Sequence, residues 1–260
     1  MSLLGEGEPP PFCVVNEPGA SRFLLTADHA GCLIPRALGD LGLSAAERVR
    51  HIAWDIGIAG VTRGLAVALD ATAVLQTYSR LVIDCNRDPG VPSAFPQVSE
   101  ATPVPGNVGL SAADKVARRT AVFDPYHAEI VRLLAGRQGR RTIYLAMHSF
   151  TPVYLGVARE VEIAVLYNRN PRASHLLAQL LREEAGLVVG ENDPYQVSDE
   201  TDYGVPVHAE RGGLDYIEIE IRQDLIQDEA GQAAWAARLA RLLPIVEAGL
   251  VNGLVMGLAQ

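Results

Sequence analysis

The 260-residue chain has only three cysteines, Cys13, Cys32 and Cys85. Their odd number and scattered spacing match neither a disulfide framework nor a zinc knuckle, and fit a reducing cytoplasm. Cys32 and Cys85 fall near other candidate site residues, but buried cysteine is most often a packing residue. No apolar run reaches the roughly 18 residues of a membrane span. The start, MSLLGEGEPPPF, has no positive segment ahead of an apolar one, so no signal peptide is expected. These features predict a cytoplasmic location. Basic charge is also scarce: 22 Lys+Arg face 31 Asp+Glu, a net charge of −9. A nucleic-acid binder normally carries a basic stripe, so that class is disfavoured. There is no Gly-x-Ser-x-Gly nucleophile turn, no Walker loop and no dinucleotide fingerprint. The sequence carries no signal for an oligomeric state.

What is present is an ordinary globular composition, 48% apolar and 20% charged. Strand-like runs alternate with helical ones and there is no internal repeat. The pattern predicts a three-layer α/β/α fold with a mostly parallel mixed sheet, formed as a single domain over residues 1–260. Residues 1–20, with proline at 9 to 11, read as an extended arm. Strands are expected at Arg22–Ala27, at Thr72–Thr77 and Leu81–Cys85 (as two strands or one bent one), and at Thr142–Ser149, Val161–Tyr167, Leu187–Val189 and Tyr216–Ile221. Ser44 and Glu47 form a capping-box signature. Apolar residues then recur at helical spacing through Val49, Ile52, Ile56, Val61 and Leu65, which predicts one bent helix loosened at Gly57 and Gly60. Further helices are expected at 111–135 around Pro125, from Pro171 to Glu184, and from Glu229 to Leu243, where Pro244 kinks or ends the last. Residues 90–109 and 191–213 read as long loops, which are uncommon unless they serve a function or are disordered.

Three of these strands end in chemistry. FLLTADHAG (Phe23 to Gly31) ends in Asp28-His29, and Gly31 permits a close turn just beyond. TIYLAMHS (Thr142 to Ser149) ends in His148-Ser149. YIEIEIR (Tyr216 to Arg222) puts Glu218, Glu220 and Arg222 on one face. In open α/β sheets, ligands bind at the carboxyl ends of the strands. A lone histidine there is more often structural; two, each closing an apolar strand, favour a metal site. Catalytic zinc usually takes three protein ligands and leaves one position for water. Asp55 is the candidate third ligand, with an exposed helical position or an N-cap as the bland reading. Asp28 is the alternative, although an acid next to His29 on a strand would point to the other face. Glu218 and Glu220 also suit an edge strand with a wet face. As part of a site, a glutamate near metal-activated water serves as general base and then acid. Arg80, Asn86 and Arg87 could grip a carboxylate through the planar guanidinium fork, or form an ordinary turn. His51 and His175 read as surface or packing residues, and His127 as a weak candidate. His208, in a long loop, could line a pocket.

Asp28-His29-Ala30-Gly31, Trp54-Asp55-x-Gly57, Ser79-Arg80, Asp84-x-Asn86-Arg87, His148-Ser149-Phe150 and the Glu220–Leu225 run together resemble the N-formylglutamate amidohydrolases. These are a branch of the zinc-exopeptidase-like hydrolases, and the similarity covers roughly residues 22 to 230. The Asp-x-Asn-Arg and His-Ser pieces also look like those of zinc carboxypeptidases and aspartoacylase. The resemblance implies zinc on His148, a base at Glu220, and a substrate carboxylate on Asn86 and Arg87. It departs at one point: the exopeptidases supply His-x-x-Glu, whereas here the fourth position is Cys32, so the carboxylate ligand must come from elsewhere. The expectation is therefore a metal-dependent hydrolase of a small acidic N-acyl amino acid, with N-formyl-L-glutamate favoured. Zn²⁺, or another divalent transition metal, would sit on His29, Asp55 and His148. Glu220 would be the base, and Arg80, Asn86, Arg87 and Arg222 would touch the substrate. A carboxypeptidase, an aspartoacylase-like deacylase, and a metal-free protein that binds an acidic ligand are the alternatives.

Overall fold

A computed structural model describes residues 3–252. Its central sheet has seven strands: β1 (Phe12–Val15), β2 (Phe23–Ala27), β3 (Thr72–Gln76), β6 (Ile143–Phe150), β9 (Ile163–Leu166), β10 (Val189–Glu191) and β11 (Asp215–Arg222). Two small hairpins supply the remaining strands, β4 (Val98–Ser99) with β5 (Thr102–Pro103), and β7 (Val153–Tyr154) with β8 (Val157–Ala158). The sheet order is β1-β3-β2-β6-β11-β9-β10. Strands β3, β2, β6 and β11 run parallel, whereas β1 is antiparallel to β3 and β9 antiparallel to β11. The sheet is thus mixed and mostly parallel, as the alternating pattern predicts.

The central strands carry apolar residues at nearly every position because both faces are covered. One face packs Phe23, Leu25, Leu145, Met147, Ile217 and Ile219 under the helices α1 (Ile58–Ala68), α4 (Arg172–Arg182) and α5 (Glu229–Asn252). The other face packs Leu24, Tyr144, Ala146 and Tyr216 under a helical run. That run comprises α2 (Ala112–Arg118), a π-helical turn (Arg119–Phe123) and α3 (Asp124–Ala135). The Ser111–Asp114 capping box forms at its start. By strand alternation Asp28, His148, Glu218 and Glu220 belong to this second face.

The structure corrects the sequence reading at several places. Ser44 and Glu47 do exchange both capping-box bonds, at 2.8 and 3.2 Å. They nevertheless start only a 3-10 turn, Glu47–Val49, and α1 begins at Ile58. Tertiary contact overrides helical periodicity here. The Asp55 amide donates to the His29 carbonyl at 2.9 Å, and Gly57 enters α1 with φ +83°. A side chain at Gly57 would also strike the Ile226 carbonyl, at 2.0 Å. Asp55 is therefore a loop residue rather than a helical one. Leu81–Cys85 forms turns and not a strand: Asp84 N–H donates to Ala94 O rather than to a ladder. The first twenty residues are not all arm, since β1 joins the sheet edge. Helix α5 runs through Pro244 without ending. Among the described residues, no helix is long and apolar enough to cross a membrane.

Candidate active site

Strands β2 and β6 pair in parallel, so their carboxyl ends lie side by side and bring His29 and His148 together. Gly31 is needed just beyond His29, because a Cβ there would lie 2.0 Å from the Thr77 carbonyl oxygen. The two imidazole rings stand 5.2 Å apart between centroids, edge to face. Asp55 lies between them. Its Oδ2 is 3.0 Å from His148 Nδ1 and 3.6 Å from His29 Nδ1. Ser149 fixes this loop, donating its amide to Asp55 Oδ2 at 3.2 Å and its hydroxyl to Ile56 O at 2.9 Å. Ser79 does the same from below, through Ala53 O at 2.8 Å.

These three residues each offer one donor atom, all within 4.8 Å of one another, and all three are buried. Four-coordinate zinc with bonds of about 2.0–2.2 Å holds its ligand atoms about 3.3 Å apart. The observed 3.0 and 3.6 Å separations are close to that spacing, and the third pair of donor atoms lies within 4.8 Å. Two imidazoles and one carboxylate are also a donor set that leaves a fourth position open. The other acid weighed for this place, Asp28, lies beyond His148: its Oδ2 is 4.0 Å from His148 Nε2, and Tyr126 donates to its other oxygen.

Asp84 is the residue whose role the sequence did not yield. His29 Nε2 bonds Asp84 Oδ1 at 2.7 Å, and Arg80 bonds Asp84 Oδ2 through Nε (3.0 Å) and Nη2 (2.7 Å). A carboxylate behind a histidine fixes its tautomer and turns the other nitrogen to the site. The signal was available in Ser79-Arg80 with Asp84, but an i, i+4 Arg–Asp spacing is shared by countless surface pairs. Arg80 Nη1 also approaches Asp55 Oδ1 at 3.7 Å. Its fork is thus committed to two acids, and only part of it is left for a substrate.

Electrostatics follow from burial and pairing. Burial opposes ionisation of Asp84, but Arg80 and His29 outweigh it and hold its carboxyl well below the usual range. Burial works likewise against Asp55, and the two histidines reverse it and lower its pKa. Burial and Arg80 depress His29, while Asp84 and Asp55 raise it above its ordinary value. Burial depresses His148 too, and its Asp55 bond with the surrounding acids raises it well above the ordinary value.

Glu220 sits directly across from His148 in the β6–β11 ladder. It is 8% exposed and its Oε2 has no hydrogen-bond partner. Burial pushes its carboxyl up to about 7. Glu218, two residues deeper, is also raised by burial, well above the carboxylate range. An unpaired buried carboxylate is costly, and such groups concentrate at functional sites. Both belong to the central strand β11, so the edge-strand reading of these glutamates does not hold.

His29, Asp55, Arg80, Asp84, His148, Glu218 and Glu220 open into one cavity of about 520 Å³. Asn86 and Arg87 line it, but much of their bonding capacity serves the chain. Asn86 Oδ1 accepts the amides of Tyr203 and Gly204, both at 2.9 Å, and its Nδ2 donates to Asp202 at 3.0 Å. Arg87 Nη1 reaches the carbonyls of Asn86 and Thr201. The pair thereby anchors the second long loop to the cavity wall. Arg222 is not brought into the cavity. Its side chain turns at the strand end to Asp224 (Nε, 2.8 Å) and to the carbonyls of Arg159 and Glu160 (3.2 and 3.1 Å). Alternation assigned its face but not the bend of the last residue of a strand. His51 does line the cavity, 3.4 Å from Glu100. His208 instead pairs with His127 at 2.8 Å, buried behind it.

An α/β sheet with acids and histidines gathered at its strand ends, opening into one cavity, is an arrangement suited to a hydrolytic enzyme. Comparison with known proteins supplies the family. The sequence model described as N-formylglutamate amidohydrolase matches residues 21–227. The chain belongs to this family and is an amide hydrolase. It is similar to the crystal structure of a gene product from Agrobacterium tumefaciens, at 40% identity and a TM-score of 0.92, covering 96% of this chain and 99% of that one. It also shares its fold with an N-formylglutamate amidohydrolase from Ralstonia eutropha JMP134, at 22% identity and a TM-score of 0.72, covering 94% and 100%. A comparison with curated proteins gave no match.

Proposed function

We propose that this amide hydrolase is metal-dependent and cleaves N-formyl-L-glutamate, an N-acyl amino acid, to formate and L-glutamate. The observation that carries the reading is the convergence of His29, Asp55 and His148 beside an unpaired, buried Glu220. His29 Nδ1, Asp55 Oδ2 and His148 Nδ1 would hold zinc or another divalent transition metal. When bound, the ion polarises the acyl carbonyl and lowers the pKa of water to about 7.

The chain's own groups do the rest. Glu220 takes a proton from the attacking water as the new C–O bond forms, and then delivers it to the departing amine nitrogen as the C–N bond breaks. Asp84, backed by Arg80, holds His29 in one tautomer. Arg87 receives the substrate α-carboxylate with the part of its fork not bound to carbonyl oxygens. Release of formate and L-glutamate from N-formyl-L-glutamate, before and after chelation, tests the reading. Chelation should abolish turnover and one equivalent of zinc should restore it. Undiminished turnover in chelator would overturn it.

Metal binding should also depend on pH, with a fixed sign. The folded chain raises both histidines above their ordinary values, so the ion must displace protons from them. Affinity should therefore rise with pH until those raised values are passed, by up to about tenfold per pH unit for each proton displaced. Zinc titration in weak buffer at a series of pH values measures both the affinity and the protons released. A pH-independent affinity would mean that the histidines are not the ligands.

A further inference from the structure

The cavity is larger than the substrate proposed for it. At about 520 Å³ it lies in the range of roughly 300–1,000 Å³ that takes drug-sized ligands, whereas N-formyl-L-glutamate has only about a dozen non-hydrogen atoms. Part of the lining is apolar, and a formyl group gives it nothing to hold. Phe150, Tyr154, Tyr195 and Val98 line the cavity together. Tyr154 and Tyr195 are each 39% exposed and Val98 is 57% exposed, so aromatic and aliphatic surface faces the open space. Exposed apolar surface gathered at a cavity marks a binding surface. The wall is also held in place. Arg159 follows the β7–β8 hairpin, and its guanidinium carbon lies 4.7 Å from the Tyr195 ring centroid, 4.9 Å from that of Tyr154 and 5.7 Å from that of Phe150. Its Nη1 donates to the Tyr195 hydroxyl at 2.6 Å. Leu155 N–H donates to Glu100 Oε1 at 3.3 Å, which ties that hairpin to the β4–β5 hairpin carrying Val98. Rings fixed in this way lose little freedom when a ligand packs on them.

This wall stands on the acyl side of the reacting bond. Asp84 bonds His29 beyond the end of β2, and the Arg87 amide donates to the Asp84 carbonyl at 3.3 Å. The cation assigned to the α-carboxylate thus stands on the β2 side of the ligand cluster. Phe150 is the last residue of β6, two beyond His148, and pairs with Arg222 at the end of β11, the strand that carries Glu220. The Tyr195 ring lies 6.5 Å from that of Phe150 between centroids. Burial, and then the nearby Glu220 charge, raise the Tyr195 hydroxyl above its ordinary value. The aromatic wall is therefore on the β6–β11 side. With its carboxylate on Arg87 and its scissile carbon at the ligand cluster, a substrate points its acyl group toward Phe150, Tyr154 and Tyr195. Their rings offer stacked or edge-to-face contact to a further aromatic ring.

We propose that this wall is an acyl subsite, and that the enzyme also hydrolyses N-acyl amino acids with a bulky aromatic acyl group. This rests on the amidohydrolase reading and extends its substrate class beyond formyl. N-phenylacetyl-L-glutamate is the test compound. Water adds its oxygen to the acyl carbon, the C–N bond breaks, and Glu220 carries the proton to the amine, so that phenylacetate and L-glutamate leave with no other co-reactant. Two measurements on the metal-loaded protein test the proposal. The first compares this compound with N-formyl-L-glutamate. Both should be cleaved, with KM about tenfold lower for the phenylacetyl compound, the scale of one packed aromatic ring. Tyr154→Ala should raise that KM by about tenfold, with kcat changed less than about threefold, and so remove the difference in KM between the two substrates. Tyr154→Phe keeps the ring and should keep the difference. The second measurement is calorimetric binding of phenylacetate and acetate, and it needs no turnover. Phenylacetate should bind more tightly than acetate in the wild type and in Tyr154→Phe, and no more tightly in Tyr154→Ala. If only the formyl compound is cleaved, the proposal fails and the amidohydrolase reading stands. If neither is cleaved, that reading and the proposed activity both fail, while the calorimetry still decides the subsite. A KM difference unmoved by Tyr154→Ala, or phenylacetate bound no better than acetate by the wild type, overturns the subsite. So does a Tyr154→Ala effect confined to N-formyl-L-phenylalanine, which would place the wall on the amine side.

Discussion

Glu220→Gln should lower kcat on N-formyl-L-glutamate by about 10³-fold while the protein keeps a full equivalent of metal. The size follows from the role: a positioned general base contributes about 10²–10⁴-fold. Glutamine has the same shape and cannot accept the proton. Metal retention follows from geometry, because the cluster that could hold the ion is His29, Asp55 and His148 without Glu220. The fold should tolerate the change. Glu220 Oε2 has no partner to lose, and a neutral amide removes the penalty of a buried charge. Metal analysis with single-turnover kinetics separates the outcomes; loss of metal together with activity would make Glu220 a ligand. Glu218→Gln is the control. It lies deeper, across from Ala146 rather than His148, and should cost less than about tenfold.

The same residue sets the sign of the pH profile. Burial raises Glu220 to about 7 in the metal-free protein, and a nearby divalent ion draws it back down. A base works only when ionised. With metal kept saturating, kcat/KM of the wild type should fall as pH drops through the folded pKa of Glu220, and the Gln variant should lack that limb.

Much of this site was legible because strands that end in chemistry are visible as such. TIYLAMHS and FLLTADHAG show an apolar run, a histidine, and a stop. Parallel pairing then does the rest, because adjacent parallel strands deliver their carboxyl ends to one place. What was hidden depends on contacts distant in sequence. Asp84 orients His29 across 55 residues, and nothing in its local sequence distinguishes that bond from a surface pair. Arg159 is held by Tyr195, 36 residues away, in a stretch with no periodicity to read. The helix expected through Ser44 to Leu65 failed for a related reason. Its caps and periodicity were real, but one backbone bond from Asp55 to His29 and a left-handed Gly57 broke it. That break has a geometric consequence. A regular helix would not have delivered the Asp55 carboxylate to two imidazoles at a strand end, and the departure from local preference marks the site.

Asp55→Asn should therefore do the most damage of any single isosteric change, through the metal rather than through the fold. Asparagine keeps the volume and can still accept the Ser149 amide bond, so the loop between Ala53 and Gly57 should hold its course. It cannot supply a charged oxygen to the ion. Losing one of three protein ligands should lower metal affinity by roughly 10³-fold and leave activity detectable only in excess metal. A consequence without metal follows as well. Asp55 helps to raise His29 and His148 in the free protein, so removing its charge should lower both pKa values. A histidine raised on folding stabilises the native state below its unfolded pKa, and that contribution fades as pH climbs through the folded value. The variant should lose that part of its stability at acidic pH and differ less from the wild type at high pH. Histidine titration by NMR and denaturant unfolding at two pH values, both on metal-free protein, check this without any assay of turnover. Unshifted histidines in Asp55→Asn would mean that the carboxylate does not govern this pair, and the assignment of the three ligands would fall with it.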